Sequence, residues 1–400
     1  MRVPGFARLY AGLLLGRVSG TVVTVALVLF VLTRYHSPQL AGATAFFAIF
    51  PGLLVSPLAG ALLDRKGRSR LVVLDYLIAA VSVGLIAGLS ALHSLSPALL
   101  LIIVGFSSLT NPLSTAGART LFPILVPKEL WERANGLDSS GHVLATLVGA
   151  PLAGTMVGLI GGEWALAAAG VLFLGAALVM LGLPDPAEAT ESHGNVLQNA
   201  WLGLKYVARN PTLRGLALTL SLLSFGWGVL DIAVPVLVLG RLHQGPAIVG
   251  YLWGVLGAAG LISALLAGRV PTLGRERQIM LGGILVSVVA MATLPFATSV
   301  VAVGIALFVM GLANGPFDIS FFTLRQRRTP PAWFGRAFAV SMSVNFVGTP
   351  IGSALAGTLI ERSVDVALWT AVAVVLVAGI FPMLTIPATD QAGAPVKAPT

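Results

Sequence analysis

The chain has no cysteine among its 400 residues, which excludes disulfides and thiolate metal sites. It is also poor in charge. Asp, Glu, Lys and Arg make up 10% of it, against about 25% in a typical soluble domain. No G-x-x-x-x-G-K-[ST] phosphate loop occurs, so ATP-driven pumping by this chain alone is not expected. No metal-ligand cluster or nucleophile–base pair stands out, so the chain does not read as an enzyme and is expected to need no cofactor and no metal. The first apolar stretch lacks a small-residue cleavage site after a short core, and reads as a retained span rather than a signal peptide.

What the sequence has in quantity is apolar residue. It is 56% hydrophobic, with a mean hydropathy of +0.94. Many of its apolar runs approach the roughly 20 residues that a helix needs to cross a hydrocarbon core, and they hold too much Gly and Ala for long strands. The expected fold is an all-α polytopic membrane protein. Twelve spans are predicted near 8–33, 41–63, 70–92, 98–122, 137–160, 164–183, 213–239, 247–269, 278–297, 299–323, 337–360 and 366–386.

The net charge of +9 reports topology rather than a nucleic-acid partner. With the N-terminus inside, only Arg34, Arg241 and Arg362 fall in outer loops and Arg17 falls within a span. The other 20 of the 24 Lys and Arg are then cytoplasmic, which is the positive-inside bias. Both termini are expected in the cytoplasm, and the protein in the inner membrane.

The longest non-apolar stretch, "LPDPAEATESHGNVLQNAWLGLKYVARNPTLRG", separates six spans from six. The predicted domains are a first bundle over 1–183, a linker over 184–212, a second bundle over 213–388 and a tail over 389–400. Within the linker, "NVLQNAWLGLKYVARN" has helical spacing and reads as an interfacial helix. The halves resemble each other at an offset of about 200 residues. "VLTRYHSPQLAG" parallels "VLGRLHQGPAIVG", "GLLVSPLAG" parallels "GLISALLAG", "VPKELWERAN" parallels "TPPAWFGRAF", and "VGAPLAG" parallels "VGTPIGS". Two pseudo-symmetric six-helix bundles with a substrate site between them are a transporter architecture.

Between spans 2 and 3 stands "GALLDRKGRSRL". It resembles the G-x-x-x-D-R-x-G-R-[KR] loop signature of the major facilitator superfamily, carried here by Gly60, Asp64, Arg65, Gly67 and Arg68. "GRVPTLGRER" is its degraded copy in the second half, without the aspartate. "ARTLFPILVPKELWERANG" and "GLKYVARNPTLRGL" are similar to the branch that holds macrolide and enterobactin exporters. The resemblance implies that Asp64 faces the start of span 11, where free main-chain N–H groups favour an anion. Arg119 would share Asp64 or Asp75, and together these groups would latch the outward-open state. One departure is that span 1 lacks the acid often found in that branch; its "GRVSGTVVTVAL" has none.

Polar residues inside the spans fall into stripes. Arg17, Thr21 and Thr24 are spaced i, i+4, i+7 on span 1, and Ser107, Asn111 and Ser114 repeat the spacing on span 4. Ser224, Trp227 and Asp231 are spaced i, i+3, i+7 on span 7, and Asn314, Asp318 and Phe321 i, i+4, i+7 on span 10. This spacing lines one helix face, and the resemblance implies that these four helices line the central cavity. Asn345 on span 11 would add a hydrogen bond, and Trp227, Phe317, Phe321, Phe322 and Phe346 an aromatic wall. A charge at mid-membrane costs at least about 2.5–3.5 kcal/mol on insertion scales, so Arg17 needs a partner or water. The expected partner is Asp318, then Asp231. Buried, unpaired carboxyls exchange protons as their surroundings wet and dry, so Asp231 or Asp318 is the expected proton-coupling group. Asp138 and His142 pair at i, i+4 at the start of span 5, and read as packing groups. Gly149, Pro151, Gly154, Gly158 and Gly162 on span 5, with Gly250 and Gly254 on span 8 and Gly348, Pro350 and Gly352 on span 11, allow close helix approach.

The reading is a secondary transporter, expected to be a monomer in the lipid bilayer, whose partners are protons and a small-molecule substrate, with no nucleic acid. Proton-coupled efflux of amphipathic or hydrophobic molecules by alternating access comes first. A lysolipid or lipid flippase of the same fold, and a proton-independent facilitator or importer, are the alternatives.

Overall fold

Inside a bilayer no water satisfies main-chain N–H and C=O groups, so each crossing segment closes its hydrogen bonds within a helix. The computed structural model describes residues 5–127, 130–183, 196–268, 272–329 and 344–386; within these, the side chains of residues 57, 60, 61, 64–66, 119, 120, 122–125, 131–133, 135, 136, 139 and 196–200 lie outside the description. Among the described residues eleven helices are long and apolar enough to cross a membrane, and the shorter apolar helix Val344–Ile360 makes the twelfth. No strand occurs among them.

The first six spans are α1 (Phe6–Tyr35), α2 (Pro38–Lys66), α3 (Arg68–Ala91), the pair α4 (Pro97–Ser108) and α5 (Asn111–Leu125), α6 (Trp131–Ile160) and α7 (Gly162–Met180). The short α8 (Val196–Arg209) follows. The second six are α9 (Pro211–Val236), α10 (Pro246–Ala267), α11 (Glu276–Thr293), α12 (Val300–Arg328), α13 (Gly348–Ile360) and α14 (Val364–Ala378), which α15 (Ile380–Thr385) extends. Sequence decides many of the ends. Ser37, Ser96, Asn210 and Ser299 cap α2, α4, α9 and α12 through their side chains, each satisfying an N–H that the helix cannot. Pro235 interrupts the ladder of α9, and the chain leaves it through a π-helical turn over Leu237–Arg241.

The chain divides into two units, Met1–His193 with His243–Gly254, and Gly194–Leu242 with Val255–Thr400. In the first, α1 packs on α6 and α7, and α3 packs on α7 and α5. In the second, α9 packs on α13 and α14, and α11 packs on α12 and α14. The first helix of each half thus touches the fifth and sixth of that half, and the third touches the sixth.

Individual contacts repeat as well. Arg34 at the end of α1 lies 4.0 Å from Glu163 in the first turn of α7, and Arg241 after α9 lies 2.7 Å from Asp365 in the first turn of α14. Each acid sits at a helix N-terminus, where the dipole favours it. Ser19 donates to the Ala169 carbonyl across α1 and α7 at 2.7 Å, and Thr219 donates to the Ala378 carbonyl across α9 and α14 at 3.4 Å. His36 and His243 both end their helices in the left-handed region, at φ 49° and 51°. They occupy matching places in "VLTRYHSP" and "VLGRLHQGP".

In α8, Tyr206 and Val207 are buried against Leu213 and Ala217 at the start of α9, with Val344 packed on them, while Trp201 on another face is exposed. Burial pushes the Tyr206 phenol above its usual range, against a side-chain hydrogen bond with Asn210 that lowers it.

The closest approaches use glycine. Gly149 of α6 receives the Thr21 side chain of α1, and Gly154 meets the backbone of Gly250, as the small-residue spacing predicts. Gly348 and Gly352 of α13 lie against the main chain of Ser221 and Phe225 on α9, and Gly228 of α9 against Thr349. A methyl group at Gly348 has only backbone to displace, whereas Gly20 has nothing within 4 Å. Gly348→Ala is expected to destabilise by about 1–3 kcal/mol and to lower the thermal midpoint in detergent. Gly20→Ala is expected to leave it unchanged. Equal midpoints for the two variants would contradict this packing.

Candidate functional site

The first-half site begins with Arg17. Its Nη2 lies 2.5 Å from Asp138 Oδ1, and its Nη1 donates to the Asp138 carbonyl oxygen at 3.0 Å. The side chains are 13% and 16% exposed, so the pair is largely withdrawn from solvent. Gly141, one turn along α6, leaves room for the guanidinium: a Cβ there would stand 3.0 Å from Nη1. The partner is therefore neither Asp318 nor Asp231, as the sequence led us to expect; both of those lie in the second unit. The reason is a helix boundary. Span 5 was expected from residue 137, which put Asp138 at the membrane edge, but α6 starts at Trp131. Asp138 is two turns into a helix that packs along α1.

Further along the α1 stripe, Thr21 donates to the Arg17 carbonyl at 3.1 Å and Thr24 to the Gly20 carbonyl at 2.9 Å. Thr21 faces α6, and Thr24 is exposed beside the open space at Gly20. On span 4, Asn111 is exposed at the start of α5 and Ser114 is half-buried. Asp75, 5% exposed on α3, has side-chain hydrogen bonds with Ser114 and Thr110. The side chain of its expected partner Arg119 lies outside the described residues, as do those of Gly60, Asp64 and Arg65 in the latch. Gly67, at φ 91°, makes the turn from α2 to α3, and Arg68 opens α3; only a residue without Cβ takes that conformation easily.

The second-half stripes carry two bare acids. Asp231 is half-buried on α9 and Asp318 is exposed on α12. Among the described residues neither carboxyl has a hydrogen bond or an ion pair. Trp227, one turn before Asp231, and Asn314, one turn before Asp318, are half-buried. Phe321 is fully buried, stacked on Phe317 at 5.9 Å and edge-on to Phe322 at 5.3 Å. Of the expected aromatic wall, Phe322 and Phe346 are the exposed members. Asn345 is wholly buried, and among the described residues neither its amide nitrogen nor its oxygen has a hydrogen-bond partner.

Two ion pairs escaped the sequence reading. One is the Arg17–Asp138 pair. The other is Glu276, buried in the first turn of α11 and paired with Arg327 at the end of α12. No group of three or more potential metal-ligating side chains occurs among the described residues.

Removing one member of a largely buried pair strands the other charge, at a cost of about 3–5 kcal/mol. Arg17→Ala and Asp138→Ala should each lower the thermal midpoint. The double variant should be less destabilised than the sum of the two, with a coupling of about 0.5–3 kcal/mol. Strict additivity would contradict the pairing.

The sequence profile described as Major Facilitator Superfamily matches residues 9–349 and, overlapping it, 216–398. The chain is 39% identical over 392 residues to the uncharacterized MFS-type transporter y4rN of Sinorhizobium fredii (strain NBRC 101917 / NGR234), covering 97% of this chain and 95% of that one. It is 26% identical over 376 residues to the multidrug efflux pump Tap of Mycolicibacterium fortuitum, covering 90% of each. Its fold matches the crystal structure of the nucleoside transporter NupG with a TM-score of 0.77, covering 96% of this chain and 99% of that one at 13% identity. Match to the family profile over nearly the whole length, together with the duplicated helical packing, places this chain in the Major Facilitator Superfamily.

Proposed function

We propose that the protein is a proton-coupled exporter of amphipathic or hydrophobic small molecules, working by alternating access with both termini in the cytoplasm. The observation that carries this reading is the unequal treatment of intramembrane charge. Asp138 is held by Arg17, so its charge is compensated in place. Asp231 and Asp318 have nothing among the described residues to fix theirs. An acid whose charge no partner compensates is poised to take up or lose a proton as its surroundings change. Such acids near substrate-facing aromatic and amide side chains let proton and substrate compete for one pocket. Trp227 and Asn314 supply those side chains, each one turn from its acid.

The resemblance to Tap supports outward transport of diverse compounds as the working direction. Arg17, Thr21, Thr24, Asn111 and Ser114 on the first-half stripes, and Phe321 and Asn345 in the second half, are the other proposed substrate contacts. Asp64, Arg65, Arg68 and Arg119, with the turn glycine Gly67 and the helix glycine Gly60, latch the outward-open state.

The test is transport in proteoliposomes with an imposed pH gradient, a pH-sensing dye inside, and a panel of lipophilic cations, macrolides and lysolipids. The wild-type chain is expected to move at least one panel member with a counterflow of protons. Asp231→Asn or Asp318→Asn is expected to abolish the response to the gradient. Full gradient-driven transport in both variants would overturn the reading.

A further inference from the structure

The Arg17–Asp138 pair satisfies the charge of the guanidinium but not its hydrogens. A guanidinium carries five N–H donors and no acceptor. Asp138 takes two of them: Nη2 donates to Oδ1 at 2.5 Å and Nη1 to the main-chain carbonyl at 3.0 Å. The Nε hydrogen and the second hydrogen on each Nη, three donors in all, have no acceptor among the described residues. Polar groups withdrawn from water almost always have a partner, and this side chain is only 13% exposed.

The same face of α1 borders open space. Arg17, Gly20, Thr21 and Thr24 share that face. Nothing among the described residues lies within 4 Å of where a Cβ on Gly20 would stand, and Thr24 is exposed. Positions turned to lipid rarely carry charge, so a face holding Arg17 and two threonines reads as the wall of a wet cavity. The hydroxyl hydrogens of Thr21 and Thr24 are spent on the carbonyls one turn back, at 3.1 and 2.9 Å. The threonines thus bring lone pairs, not donors. Tyr10, two turns before Arg17, has its hydroxyl 3.6 Å from the Cβ position of Gly141, the glycine that Nη1 approaches to 3.0 Å. That hydroxyl also has no hydrogen-bond partner among the described residues. What these donors lack is an acceptor.

The charge, by contrast, is already matched. An anion reaching these donors would share the guanidinium with the Asp138 carboxylate, and like charges repel strongly where water is scarce. An uncharged oxygen meets no such cost. We propose that the uncommitted N–H groups of Arg17 bind an uncharged acceptor on the substrate, a carbonyl or phosphoryl oxygen. The chain then favours neutral, oxygen-bearing apolar molecules over anions. The inference rests on the exporter reading for its claim about transport, but not for its claim about binding.

The experiment is isothermal titration calorimetry of the purified full chain in detergent, with probes of similar shape. Triphenylphosphine oxide has a strong uncharged acceptor, triphenylmethane has none, and tetraphenylborate is an anion. Wild type is expected to bind the oxide roughly ten- to a hundredfold more tightly than the other two, the worth of one hydrogen bond to a charged donor. Arg17→Leu combined with Asp138→Leu exchanges the pair for apolar side chains, a replacement that folded proteins tolerate. That variant is expected to bind the oxide and triphenylmethane alike. Asp138→Asn keeps an acceptor for Nη2 and removes the negative charge, and is expected to gain affinity for tetraphenylborate by a similar factor.

The proposal is overturned if wild type binds no oxide, binds it no better than triphenylmethane, or binds tetraphenylborate more tightly. A preference for the oxide that survives in the leucine pair overturns it too, as does tetraphenylborate binding unchanged by Asp138→Asn. Uptake into proteoliposomes separates the two claims. If the oxide binds through Arg17 but is not carried, the exporter reading fails and the binding site stands. If other compounds are carried and no binding depends on Arg17, the site fails and the exporter reading stands.

Discussion

Charge held inside an apolar bundle must be compensated, and the four intramembrane aspartates meet that constraint in different ways. Asp138 is paired with a guanidinium that also grips its main chain. Asp75 is placed against two hydroxyls at a helix break. Asp231 and Asp318 have no partner among the described residues. A mid-membrane charge costs several kcal/mol unless it is paired or wet, so these differences sort the four acids by what each can do. The pair holds α1 to α6. The bare acids are the ones we propose to exchange protons.

The helical frame that presents these acids is duplicated in its details. Arg34–Glu163 and Arg241–Asp365 tie the end of the first helix to the start of the sixth in each half. Ser19 and Thr219 bridge the same two helices at the middle. The halves differ where function is expected to reside. The first-half contact between helices one and five carries an ion pair, and the second-half contact, between α9 and α13, is made through Gly228, Gly348 and Gly352. A duplicated scaffold has thus kept its braces and diversified its polar interior.

Much of this was legible in sequence. Runs of apolar residues located the spans, and the parallel of "VLTRYHSP" with "VLGRLHQGP" signalled the duplication, within which the structure places His36 and His243 in matching left-handed turns. The small residues of "VGAPLAG" and "VGTPIGS" marked the close crossings. The partner of Arg17 was not legible, because the polar "WERANGLD" hid the first two turns of α6 and displaced Asp138 from the depth of Arg17. The break in span 4 was equally hidden. Asn111-Pro112 reads as a helix start only once Thr110 is seen to leave the α4 ladder. Hydropathy reports how long a span is, not which turn of it faces which neighbour.

The central claim is that uncompensated carboxyls, and not the Arg17–Asp138 pair, exchange protons with substrate. Its most direct test is proton release on adding tetraphenylphosphonium to the purified full chain in weakly buffered detergent. Wild type and Asp138→Asn are expected to release protons on binding, and the double variant Asp231→Asn, Asp318→Asn is expected to bind without release. Release that survives in the double variant but disappears in Asp138→Asn would contradict the account.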